Sequence, residues 1–168
     1  MSISMYQASI PVFQRSLGSL STILDKAVAF AETKKIDPSV LINARLAPDM
    51  FPLVRQVQLV CDFAKGPAAR LAGADVPSVP DVETTFPELQ ARITKTQDFL
   101  NSIHSVEVDG SEERPITLKM PSGEMTFSGQ SYLLSFALPN FFFHLTAAYA
   151  ILRHNGVDVG KRDYLSSL

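Results

Sequence analysis

The chain has 168 residues, 46% hydrophobic and 19% charged, with 15 basic against 17 acidic side chains for a net charge of −2; this suits one domain, residues 1–168, with a core that needs no disulfide or metal staple, and excludes a disordered chain. The charges are scattered without a broad cationic face, which argues against nucleic acid as a partner. Cys61 is the only cysteine, so no intramolecular disulfide forms, and a reduced, cytoplasmic setting is expected.

The opening residues lack the basic region, apolar run and small-residue cleavage site of a secretory signal and read as structure. Ile10, Phe13, Leu17, Leu20, Leu24, Ala27, Val28 and Ala31 recur at steps of three and four, predicting a first long helix with Pro11 near its start and Lys34 and Lys35 at its end. Asp37-Pro38 reads as a cap and a first-turn proline, opening a short helix to about Asn43. A second long helix is predicted over residues 52–72. Leu53, Val57, Val60, Ala64, Ala68 and Leu71 form its core stripe, Pro67 is expected to bend it, and Gly73 to stop it. Arg55, Gln58 and Asp62 line another face of that helix, and Leu59 and Phe63 make a second apolar strip, a candidate partner surface.

Residues 74–85 are rich in proline and acids and read as an extended connection. "TFPE" at 85–88 matches a capping box, predicting a third helix to about Ile103 with Leu89, Ile93, Thr96, Leu100 and Ile103 inward. "ITLKM" at 116–120 and "EMTFS" at 124–128 flank the turn signal "PSG" and predict a small β-hairpin. Ser128 is expected to cap the fourth long helix, Pro139 to split it in two, and Asn155-Gly156 to end it. In the tail, Val157, Val159, Tyr164 and Leu165 are expected to fold back over the bundle.

The longest apolar stretch, residues 132–152, contains Pro139, Asn140, His144 and Thr146 and lacks a flanking positive bias, so a buried helix is expected and not a membrane span. The positions three and four from His144 hold Phe141, Ala147, Asn140 and Ala148, none a good metal ligand. His154 lies about 15 Å further along the axis. No complete metal site and no cofactor are expected. Asn140 and His144 share a face with Ala147, Ala148 and Ile151, which leaves two uses open: a core histidine bonded across the bundle, or a small apolar ligand held against the imidazole. Arg55, Gln58, Asp62 and Tyr149 complete the ligand-pocket candidates, with a solvated face or plain packing as their alternative. Cys61 lies on the apolar side of its helix, as an inert thiol would. Neither a "GxSxG" elbow nor a phosphate-cradling glycine loop occurs, so no catalytic set is assigned.

Three stretches carry a resemblance: "NARLAPDMFPLVRQVQ" at 43–58, "AKGPAARLAG" at 64–73 and "ALPNFFFHLTAAYAILRHNGVDVGKRDYL" at 137–165. Together they resemble a bacterial family of unknown function related to the DinB and YfiT-like four-helix bundles, over nearly the whole chain. The resemblance implies an all-α, up-down-down-up bundle with a small β-hairpin inserted before helix four, and a homodimer. The wider superfamily holds a metal with one histidine from helix two and a pair from helix four. Only His144 carries over. The leading expectation is therefore a dimeric bundle without a metal triad, binding a small apolar ligand near His144 and Asn140. One rival is a DinB-like metal-dependent hydrolase or transferase, with Asp49, Asp62 or His104 supplying the missing ligands. Another is a structural or stress-related interaction module.

Overall fold

The structure, a computed structural model, describes residues 3–120 and 123–165. Its frame is a bundle of four long helices: α1 (Ile10–Lys34), α3 (Leu53–Ala72), α4 (Phe86–Asn101) and a composite fourth ending in α7 (Leu138–His154). A short α2 (Pro38–Ile42) joins the first two, and Asp37 caps it by accepting from the Ser39 N–H. The apolar stripes meet in one core. Phe13, Leu17, Leu20 and Leu24 of α1, Leu53, Val57, Val60 and Ala64 of α3, Leu89 and Leu100 of α4, and Phe141 and Ile151 of α7 are fully buried. Helix α3 lies at the centre, against both α4 and α7.

Helix ends follow local chemistry. Thr85 accepts from the Glu88 N–H while Glu88 accepts from the Thr85 N–H, forming the capping box. At the C-terminus of α3 the Ala74 N–H donates to Ala69 O and the Gly73 N–H to Arg70 O, a geometry that needs the left-handed φ of 72° at Gly73. Gly156 ends α7 in the same way. At the end of α1 the left-handed residue is Lys35, which no glycine signal marks.

After α4 come a one-turn α5 (Ser105–Val108) and the hairpin of β1 (Pro115–Met120) and β2 (Gly123–Ser128). The strands are antiparallel, with Ile116 opposite Phe127 and Thr117 opposite Thr126. The predicted turn at Pro121 and Ser122 lies outside the described residues. Ser128 then caps α6 (Gly129–Tyr132) by accepting from the Ser131 N–H.

Pro139 does not split the fourth helix, contrary to expectation. Residues Leu133–Ala137 form a π-helical turn in which the Leu138 N–H donates to Leu133 O. The wider turn shifts the bonding register, so Pro139 enters α7 in its first turn, where a missing N–H costs little. Pro67 likewise lies within α3, which continues through it to Ala72. The composite helix, Gly129–His154, is long and apolar enough by length and composition to cross a membrane. Within the fold it buries Phe141, His144, Leu145, Ala148, Ile151 and Leu152 in the bundle. In the tail, Val157 and Val159 are buried, and α8 (Lys161–Leu165) packs on α1, where Asp163 pairs with Lys26 at 2.7 Å.

Candidate functional site

Helix α7 places Asn140 and His144 one turn apart, and α3 sets Gln56 across from the imidazole. His144 Nδ1 lies 2.8 Å from Gln56 Oε1, and Gln56 Nε2 donates to Phe51 O at 3.1 Å. A carbonyl can only accept, so the Gln56 amide must turn its oxygen to the ring, and Nδ1 carries the proton. Phe63 stacks on the imidazole at 5.5 Å and Phe143 meets it edge-on at 5.2 Å. Burial first, then the positive charge of Arg55, pushes the His144 pKa below its ordinary value, favouring the neutral ring. Asn140 donates to Phe136 O at 2.7 Å, so its amide serves the turn in which Pro139 has no N–H to give.

These residues do not fit a metal. The partner of His144 on α3 is Gln56, a buried amide already bonded at both ends, and the residue one turn before His144 is another amide, Asn140. Among the described residues, no three His, Cys, Asp or Glu side chains gather to hold an ion. Asp49 and His104 are exposed, and Asp62 is bonded to cations instead.

The expected solvated face of α3 is instead a half-buried ion network around a buried arginine, a correction that comes from α4. The Arg92 side chain is 2% exposed and reaches Asp62 at 3.0 Å, Asp81 at 2.8 Å and Glu83 at 3.0 Å. Arg55 pairs with Asp81, and Gln58, also buried, donates to Glu83 at 2.9 Å. The acidic connection of residues 74–85 is thereby strapped across α3 and α4. Sequence reading missed Arg92, although it falls three residues after Leu89 and four before Thr96, on the inward stripe, which was the available signal.

Beside this network lies a groove of about 670 Å³. Leu59, Phe63, Gly66, Pro67 and Arg70 of α3 form one wall, Val76 and Val79 of the strap and Leu118 of β1 two others, and Tyr132 and Phe136 close it. Lys65, itself buried, is paired with Asp62. Arg70 donates to the Tyr132 hydroxyl at 3.3 Å. Its guanidinium folds over Gly66, where a Cβ would lie 2.7 Å from Arg70 Nη1; glycine in mid-helix costs about 1 kcal/mol relative to alanine, and here it makes room for an arginine head. Burial pushes the Tyr132 hydroxyl pKa up, and Arg70 opposes that shift.

Of the sequence candidates, only Asp62 lines this groove. His144 stacks on Phe63, which lines the groove, and Asn140 lies one helical turn after Phe136. Tyr149 is elsewhere, edge-on to Tyr164 at 5.7 Å. Leu59 and Phe63 are half-buried and line the groove, and Phe63 packs its ring on His144 and Phe136. Cys61 is fully buried and its pKa is pushed up to about 11 by desolvation, which keeps it an unreactive thiol at neutral pH.

Comparison with known proteins agrees with this architecture. A crystal structure of a DinB family member protein from Shewanella denitrificans is 42% identical, covers 97% of this chain and 92% of that chain, and superposes with a TM-score of 0.90. No curated protein matches. The model of a domain of unknown function, DUF1993, matches residues 5–165, and with that span and that neighbour the chain belongs to the DUF1993 family of DinB-like helical bundles.

Proposed function

We propose that this chain is a cytoplasmic, metal-independent binding protein that takes a small, largely apolar molecule in the groove between α3, the acidic strap and the start of the fourth helix. The observation that carries this reading is the groove itself. Its walls come from four separate segments, and its size, with apolar side chains such as Leu59, Phe63, Leu118 and Phe136 set beside polar ones such as Arg70 and Tyr132, suits a small-molecule site. His144 meanwhile gives one ring nitrogen to Gln56, and among the described residues no group of three ligating side chains stands around the ring. The ligand sits beside His144 and Asn140 and not on them. In an amide-resolved NMR screen with small apolar fragments, shifts are expected at Gly66, Arg70, Tyr132 and Phe136. Shifts confined to other faces, or a stoichiometric zinc or nickel in protein purified without a histidine tag that vanishes in His144→Ala, would overturn the reading.

A homodimer is the second element of this proposal, supported by a different surface from Phe63. Leu46, Met50, Phe143 and Ala150 line a shallow apolar groove, and Phe143 is 59% exposed. Exposed apolar side chains gathered on one face offer a surface that a second copy can cover. Light scattering is expected to give twice the chain mass for the native protein and the chain mass for Phe143→Glu; a monomeric native protein, or a variant that remains dimeric, would remove this interface.

A further inference from the structure

Resting on the groove reading above, we infer that its ligand is a small monocarboxylate with an apolar body, and that Arg70 is the residue that binds the carboxylate. The cations around the groove are not equivalent. Lys65 is neutralised by Asp62. Lys119 has an 87% exposed side chain, with Glu124 4.0 Å away. Arg92 is surrounded by Asp62, Asp81 and Glu83. Among the described residues Arg70 has no carboxylate partner; its one side-chain bond is to the Tyr132 hydroxyl, which leaves most of its donors uncommitted.

A planar guanidinium matches the two oxygens of a carboxylate in a bidentate pair, and such charge-assisted bonds are strongest where water is partly excluded. The position of Arg70 is built. Gly66 leaves the space the head group occupies, and the Tyr132 ring beneath it is 1% exposed. Beyond the head, Leu59, Phe63, Phe136 and Leu118 offer the hydrocarbon wall that an acyl or aryl chain would cover. One uncommitted cation matches one negative charge. A phosphate monoester, close to a dianion at neutral pH, would meet only half the compensation it needs.

Isothermal titration of the full chain with octanoate, 4-phenylbutyrate, octanamide and phenyl phosphate tests this. The acids are expected to bind at least about tenfold more tightly than octanamide and phenyl phosphate, tenfold being the effect of about one such interaction. Arg70→Gln should abolish that preference while octanamide binding stays the same. Gly66→Ala, which displaces the guanidinium, should weaken the acids and leave octanamide unchanged, so a folding defect in Arg70→Gln does not decide the matter. Equal binding of acid and amide to the native protein, tighter binding of phenyl phosphate, or acid affinity that survives both variants overturns the assignment of Arg70 while the groove stands. If neither acid nor amide binds, the groove reading falls with it.

Discussion

Arg92→Met is expected to lower the stability of the native protein by about 3 kcal/mol, at the low end of the range for removing one partner of a buried ion pair. The low end applies because Asp62 and Asp81, with side chains 31% and 38% exposed, can recover some hydration. Glu83 cannot: its side chain is 8% exposed. For a chain of this length the melting temperature should fall by about 9 °C. Adding Glu83→Gln to the Arg92→Met variant should recover part of the loss by removing the stranded charge. A single-variant loss within about 0.5 kcal/mol, the range of ordinary surface changes, would show that the network is replaceable by solvent.

The same variant has a predictable pH signature. Burial pushes the Glu83 pKa up, but hydrogen bonds from its own backbone, Arg92 and Gln58 outweigh it and hold the carboxyl below its ordinary value of 4.5. A carboxylate whose folded pKa is depressed stabilises the fold above its unfolded pKa, and that contribution is lost as pH falls through the folded value. Without Arg92 two of the lowering influences go while the burial remains, so the folded pKa rises from its depressed value and this contribution to stability shrinks. The difference between native protein and variant in urea melts should therefore be large at about pH 7 and narrow at about pH 3.5. A difference that does not change with pH would remove Glu83 from the account.

Gly129→Ala is expected to cost about 3 kcal/mol, the upper end of the usual range for overpacking. A Cβ on Gly129 would lie 2.0 Å from Ser111 O and 3.1 Å from its carbonyl carbon, and this neighbour is backbone, which cannot rotate away. The adjacent Gln130 N–H is bonded to Glu112 O at 2.9 Å, so relief of the clash breaks the seam that fixes the fourth helix against the segment before the hairpin. Tyr132 and Phe136, which close the groove, follow within two turns, and groove ligands should weaken in parallel. Gly18→Ala supplies the contrast: nothing lies within 4 Å of a Cβ there, and in the middle of α1 the substitution should stabilise by about 1 kcal/mol. Chemical denaturation of the two variants checks both signs, and equal effects would mean that the close approach of Ser111 is not maintained in solution.

The frame was legible wherever a local pattern has a local cause. Periodic apolar side chains in residues 10–31 and 53–71 require a helical face to bury them, the Thr85 and Glu88 pair closes its own box, and Gly73 and Gly156 accept the left-handed turns that end their helices. Lys35 was not legible as a stop, because its left-handed turn has no glycine to mark it. The split of helix four at Pro139 was expected from the usual steric rule, and the π turn at Leu133–Ala137 satisfied that rule by another route.

By itself, the sequence determined the number and placement of the long helices, the hairpin between the third and fourth, the core stripes and the lack of a second histidine one turn from His144, since each follows from spacing along the chain. The tertiary structure alone decided that Gln56 takes the imidazole, that Arg92 gathers Asp62 of α3 with Asp81 and Glu83 of the acidic connection, and that Arg70 lies over Gly66 at the edge of a groove. Those pairings join residues on different segments or turn on how one side chain folds back, and periodicity fixes which face of a helix is buried without fixing which neighbour it will meet.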